Sequence, residues 1–477
     1  MKYLRRCLKA LGWLMLALGG LAALGLAALI VANWNDDALS EAAQQALQYT
    51  PPTEQALEGN GYLIVMGLDA PIGGGAIGDA VALGRTRLAR EIERRRWVEV
   101  HGDRQEGIPS PIPAKSPLDD VLPGRLRCPV DESDCFAWFV KHGDEVQALA
   151  KTHQALLQRL AAAAGSPQFS NPAPIYLQSE FPPYGLLVRA HELWLAQASQ
   201  EWMHGRPQQA LDIAHQAVQL RSRLASHSNS LIASMVALAM QHRELRWLSD
   251  ASARTASAPP MAESKAIEEL LSAPTTSLES ALKGEMQYIA SILYPPADSG
   301  FYPSAGDDPL AWWKHALNRP SRVAYLPRQT VNQSIEYLKQ VRAVSALPIH
   351  QQSAAFSRIM QLVDDDSVCL PWKRLRNVAG SCVFATTVPV YRTYIERVAD
   401  IDGYRRLVLL QRRAAVEQVA PPDMPAWLAR SPQTLHDPYT QEPMQWDAAT
   451  SSLVFEGREK QNQNPGRSST YRVRLRG

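Results

Sequence analysis

From Leu11 to Ala32 the chain runs 22 residues without a charged side chain, and this stretch limits what the rest of the protein can be. At about 1.5 Å rise per residue it makes a helix of about 33 Å, matched to a bilayer hydrocarbon core of about 30 Å. Lys2, Arg5, Arg6 and Lys9 precede it, and Asp36 and Asp37 follow it. The positive-inside rule therefore makes residues 1–10 a cytoplasmic tail and sends everything beyond Asn33 across the membrane. Trp34 falls at the interfacial position that amphipathic aromatics favour. A cleaved signal peptide is the rival reading, but its apolar region spans about 7–15 residues and ends in an A-x-A site. This run is longer and ends Leu29-Ile30-Val31-Ala32, so residues 11–32 are expected to be a retained signal anchor. Gly12, Gly19, Ala23 and Ala27 lie near one helical face, where small residues would let two anchors pack as a homodimer. A run so rich in Ala and Gly produces that stripe by chance equally well.

Setting aside the tail's four cations leaves 45 Lys and Arg against 47 Asp and Glu. A body so near neutrality has no bulk field for a phosphate backbone, which argues against nucleic acid as a partner. The cysteines divide with the topology: Cys7 is cytoplasmic, and Cys128, Cys135, Cys369 and Cys382 lie beyond the anchor. An oxidising compartment favours local pairing, Cys128 with Cys135 and Cys369 with Cys382, each closure stabilising by about 2.5–3 kcal/mol. Two other pairings remain open. Neither C-x6-C nor C-x12-C has zinc spacing, and no C-x-x-C redox motif is present.

Residues 33–60 are polar, contain Pro51 and Pro52, and read as a linker between membrane and body. Residues 61–430 read as one helical domain beyond the anchor and residues 431–477 as a small β subdomain. In the first, Val146, Leu149, Leu156, Leu157 and Leu160 recur at helical spacing, predicting one helix from Glu145 to Ala164 capped by Asp144 and Gly165. His153 lies on its apolar face as a core residue. Leu231 to Met240 is apolar nearly all round, too short to span a bilayer, and predicts a central core helix over 230–249. Within residues 194–220, Trp194, Ala198, Gly205, Ala210 and Ala217 stand at the offsets of a tetratricopeptide-type hairpin, with Gly205 and Pro207 at the turn. Glu201 occupies that motif's tyrosine position and no second copy follows, so an ordinary αα-hairpin accounts for it too. Further helices are expected from Thr276, Thr330, Gln351 and Thr386. The last carries Tyr391, Ile395 and Val398 on one side, and Gly403 should interrupt it. MQW, SLVFEG and TYRVRLR read as a closing antiparallel meander, with Tyr471, Val473 and Leu475 inward. The fold class is thus mainly α, with a small C-terminal β-meander and one transmembrane helix.

Few motifs invite chemistry. Gly73-Gly74-Gly75-Ala76-Ile77-Gly78 spells G-x-G-x-x-G, but Leu68-Asp69-Ala70-Pro71 separate it from the apolar YLIVMG and no later βαβ unit follows. A flexible glycine loop is expected. Asp364-Asp365-Asp366 lacks the glycine and spaced acids of a calcium loop. His191-Glu192 begins like a zinc helix, but residue 195 is leucine. Arg94 to Arg96, Arg405, Arg406, Arg412 and Arg413 read as solvated faces. Thr276 and Glu279 fit a capping box. That leaves Glu285 as the weak candidate for a catalytic acid. Tyr302, Trp312 and Trp313, among prolines, form a possible ligand surface, although capping a core is the commoner use of such residues. No cofactor or metal is implied.

The anchor, NGYLIVMGLDAP, CPVDESDCFAWFVKHGDE, SLESALKGE, ERVADIDGYRRL and DPYTQEPMQWD together resemble a set of uncharacterised membrane-anchored proteins of proteobacteria. The resemblance implies an inner-membrane protein with a periplasmic body, and it brings no catalytic residue. The expected function is a non-catalytic body that binds or scaffolds a protein partner in the cell envelope. The alternative is an envelope hydrolase acting on glycan or peptide, with Glu285 as acid beside Trp312 and Trp313.

Overall fold

The computed structural model describes residues 2–101, 107–112, 121–129, 132, 134–254, 261–273, 276–294, 324–361, 375–387, 390–459 and 470–475. Helix α1 (Lys2–Ala32) contains an apolar stretch, Lys9–Ala32, of mean hydropathy 2.5 that is not buried against the rest of the chain.

Residues 33–60, expected as a linker between membrane and body, are bonded to that body along their length. The Asn33 side chain donates to the Leu375 carbonyl at 2.7 Å and accepts the Asn377 N–H at 2.7 Å. Arg376 donates to the Ala32 carbonyl and pairs with Asp37 at 2.7 Å. Helix α2 (Glu41–Leu47) then buries Ala43 and Ala46, and α3 (Glu54–Leu57) buries Leu57. Prolines and polar residues hid a short apolar face that finds a partner only in the folded body.

The body starts with α4 (Gly61–Met66), buried on every side and capped by Asn60, which accepts the Tyr62 N–H. It crosses α5 (Ala76–His101) at backbone contact: a Cβ on Gly84 would meet the Leu63 carbonyl oxygen at 2.0 Å, and one on Gly67 the Ala80 oxygen at 2.0 Å. Only glycine permits that approach. The glycine loop before α5 is pinned, since the N–H groups of Gly73, Gly74 and Gly75 donate to the Asp79 carboxylate and hold its pKa below the usual value. The arginines expected to face solvent are largely buried. Arg94 donates to the carbonyls of Pro109 and Gln178, and Arg95 to those of Leu47 and Ile175, while Arg96 is exposed. Each guanidinium joins segments whose carbonyls would otherwise be buried unpaired.

Next come α6 (Cys135–Lys141), α7 (Gly143–Thr152) and α8 (Gln154–Gly165). The single helix expected over 145–164 is two, because His153 leaves the helical region at φ −101°, ψ 22°. His153 is accordingly part-exposed rather than in the core. Helices α9 (Tyr184–Met203) and α10 (Pro207–His227) form the αα-hairpin, with Gly205 at φ +76° and Pro207 opening α10. Trp194, Ala198, Ala210 and Ala217 are buried between their neighbours, as the spacing predicts. The core helix is α11 (Leu231–Arg254), packed by α6, α9, α10 and α12 (Met261–Ser272).

A second apolar cluster lies where α13 (Glu279–Leu293), α14 (Pro327–Ser345), α15 (Ile349–Gln361) and α16 (Val378–Thr387) meet. The capping box expected at α13 is not formed: Thr276 is buried and gives its hydroxyl to Gln241, while Ser277 accepts the Glu279 N–H. Asp36 caps α14, accepting the N–H groups of Arg328 and Gln329 at 2.8 and 3.0 Å.

Helix α17 (Val390–Val416) runs straight through Gly403, which was expected to interrupt it. A Cβ there would come within 2.3 Å of the Phe455 ring, so the glycine seats the sheet on the helix. Arg412 is buried, and Arg405 and Arg406 pair with Asp402, so of that expected solvated face only Arg413 is exposed. After α18 (Met424–Ala429), strands β1 (Gln445–Asp447), β2 (Ser452–Glu456) and β3 (Thr470–Arg474) form the antiparallel sheet in the order β1-β2-β3. Leu453 pairs with Val473 and Phe455 with Tyr471 across β2 and β3. Val473 is buried and Tyr471 half-buried, and Arg472 and Arg474 face out.

Candidate functional site

One open groove among the described residues, of about 810 Å³, is walled by the end of α6, by α7 and α8, and by α9 with Gln216 of α10. Its shape follows from local sequence. The break at His153 splits one wall into two helices, each packed on α9. At the other end, Gly143 brings α7 against α9 so closely that a Cβ would stand 3.1 Å from the Gln200 Oε1. Gln200 is held there by donating its amide to the Phe139 carbonyl. The floor is apolar, with Val146, Ala150 and Leu157 nearly covered. Trp194 is 4% exposed, so its ring presents no open face.

The rim is polar but balanced. Lys141, Lys151 and Arg206 stand with Asp144, Glu145 and Glu201, and two of the acids are engaged, Glu201 by Arg206 and Glu145 by Arg125. The remaining polar lining is mainly amide: Gln147, Gln154, Gln158, Gln197 and Gln216 join Gln200. A groove of this size and mixed character lies in the range of ligand sites, about 300–1,000 Å³. The glutamines escaped sequence reading because Gln154 and Gln158, one turn apart and opposite an apolar face, look like any solvated stripe. A second pocket, of about 20 Å³ beside Glu91, has room for about one water.

Glu285 lies elsewhere, on α13. Its carboxylate accepts the Tyr391 hydroxyl at 3.4 Å and the backbone N–H of Leu231, the first residue of α11. Burial raises its pKa to about 7 against those two donors. No acid or histidine is bonded to it among the described residues. The acid thus supports a helix N-terminus, where an acceptor is stabilising. Tyr302, Trp312, Trp313, Cys369 and Asp364 to Asp366 lie outside the described residues.

Cys128 and Cys135 form a disulfide with Cα atoms 5.5 Å apart, tying the segment before α6 to its first turn. His191 is enclosed at the centre of the body: its Nε2 lies 3.1 Å from the Glu244 carboxylate, which Arg221 also engages at 3.0 Å. All three are at most 2% exposed. Arg221 and His191 hold the Glu244 carboxyl below its usual range against the opposing effect of burial. Sealed from solvent, this trio joins α9, α10 and α11. No cluster of three or more metal-ligating side chains occurs among the described residues. No known protein family, curated protein or solved structure matches the chain.

Proposed function

We propose that this chain is a single-pass inner-membrane protein whose helical body stands on the periplasmic side as a non-catalytic platform for an envelope partner. The observation that carries the reading is the joint at the end of α1. Asn33, Asp36, Asp37 and Arg376 bond the exit of the apolar helix to the loop before α16 and to the start of α14. A body hung on a free linker sweeps through many orientations. One bonded at its exit presents a constant face, and pre-set orientation lowers the entropy cost of engaging a partner. The Cys128–Cys135 disulfide fits an oxidising compartment. The surroundings of Glu285 do not favour the hydrolase reading, because its two partners are a tyrosine and a helix N-terminus.

Alkaline phosphatase fused after residue 60 tests the topology. Activity is expected, and an inactive fusion reverses it. For the platform itself, photocrosslinkers placed one at a time over the body of the full-length protein in cells should give a discrete adduct at a confined set of positions. A body that yields none at any position is not a platform.

A further inference from the structure

Given the platform reading, on which this step rests, the groove's chemistry points to its ligand: we infer that it takes an extended, uncharged stretch of polypeptide. Of the chain's 31 glutamines, six line this one groove. Gln200 is spent on the Phe139 carbonyl. The amides of Gln147, Gln154, Gln158, Gln197 and Gln216 make no hydrogen bond to the protein among the described residues. Each is a donor and an acceptor at once, matching the N–H and C=O that an extended polypeptide repeats at regular spacing along its length. The amides come from α7, α8, α9 and α10, so they flank the groove on both sides.

Charge and shape narrow the choice. With three cations against three acids, the rim selects neither a polyanion nor a polycation. Among the described lining residues the one large aromatic, Trp194, is 4% exposed and offers no face on which a sugar ring could stack, so the groove favours a peptide over a glycan. Ala150 and Leu157, at 9% and 8% exposure, give the floor small apolar spots for side chains on alternate positions of an extended segment.

The test uses the full-length protein in lipid nanodiscs, incubated with a pool of dodecapeptides randomised over all residue types. Bound peptides are sequenced by mass spectrometry. Peptides free of Asp, Glu, Lys and Arg should be enriched, and the best of them, labelled, should give saturable fluorescence anisotropy. The double variant Gln158→Glu with Gln197→Glu should weaken that binding by about tenfold or more, because it puts charge where neutral amides meet the ligand. Gln209→Glu, on the exposed face of α10 outside the groove, should leave it unchanged. If the double variant melts below the wild type, Gln154→Ala with Gln158→Ala serves in its place. Three results overturn the assignment: no enrichment of neutral peptides, binding indifferent to both double variants, or displacement of the bound peptide by hexa-N-acetylglucosamine. If crosslinkers on another face capture a partner while the groove binds no peptide, the platform reading stands and this one falls.

Discussion

The corner where α4, α5 and α8 meet and the groove between α7, α8 and α9 are both dense in polar side chains, and they use them in opposite ways. At the corner, Arg159 donates to the carbonyls of Leu68, Ala70 and Ala76, and Arg87 engages Asp69 and the Met66 carbonyl. Both arginines are buried. In the groove, the neutral amides of five glutamines make no hydrogen bond to the protein among the described residues. The contrast is one of hydration. A polar group taken out of water must be paired inside the protein or its desolvation is not recovered, so pairing at the corner is what the fold requires. An amide in an open groove keeps its water and can exchange it for a ligand. Polar groups bonded to the protein's own backbone and acids therefore report architecture, and convergent amides left to water report binding.

The sharpest way to break this comparison is to open a buried ion-paired network. Arg221→Met should leave the Glu244 charge with His191 as its one remaining partner of the trio, in a site at most 2% exposed, and remove about 3 kcal/mol of stability, measured by urea unfolding in detergent. A loss below about 1 kcal/mol would mean that the pairing is not structural. Asn33→Ala, which deletes two hydrogen bonds of the anchor joint, should cost about 2 kcal/mol. Limited proteolysis should then cut within residues 33–60 faster than in the wild type, and unchanged protection would contradict a bonded exit.

Glu285 lies between the two extremes, being part-buried and part-paired. Its carboxyl has a pKa of about 7 in the fold against an ordinary 4.5, so the folded chain holds this proton more tightly than the unfolded one. Stability is therefore lost as pH rises from about 4.5 to about 7. Glu285→Gln stays neutral throughout and should be more stable than the wild type at pH 8 by about 1–2 kcal/mol, and level with it at pH 4. Equal melting at pH 8 would show that the carboxyl ionises without cost. The smallest effect belongs to the groove: Gln154→Ala and Gln158→Ala should each shift stability by no more than about 0.5 kcal/mol, since neither amide is bonded within the protein.

What could be read from the sequence follows the same division. Local rules held where the next few residues decide: the hairpin turn at Gly205 and Pro207, the apolar-all-round stretch in α11, and the alternation in β3. They failed wherever a distant group competed. Thr276 was free to cap α13 but meets Gln241, and Gly403 was free to end α17 but meets Phe455. Arg94, Arg95 and Arg412 read as solvated because charge is usually exposed, whereas carbonyls and hydroxyls from other segments receive them. For the groove, nothing in the spacing of Gln154, Gln158 and Gln197 says whether they face water or each other.

The sequence alone determined the long apolar helix with its flanking charges, the predominance of helix and the closing meander, because each depends on periodicity or on transfer from water summed over neighbours in the chain. Tertiary structure decided that the segment after the apolar helix is bonded down, that one helix breaks into two at His153, and that glutamines from four helices line one cleft. Those outcomes turn on which polar groups find partners far along the chain, and a linear pattern carries no record of that.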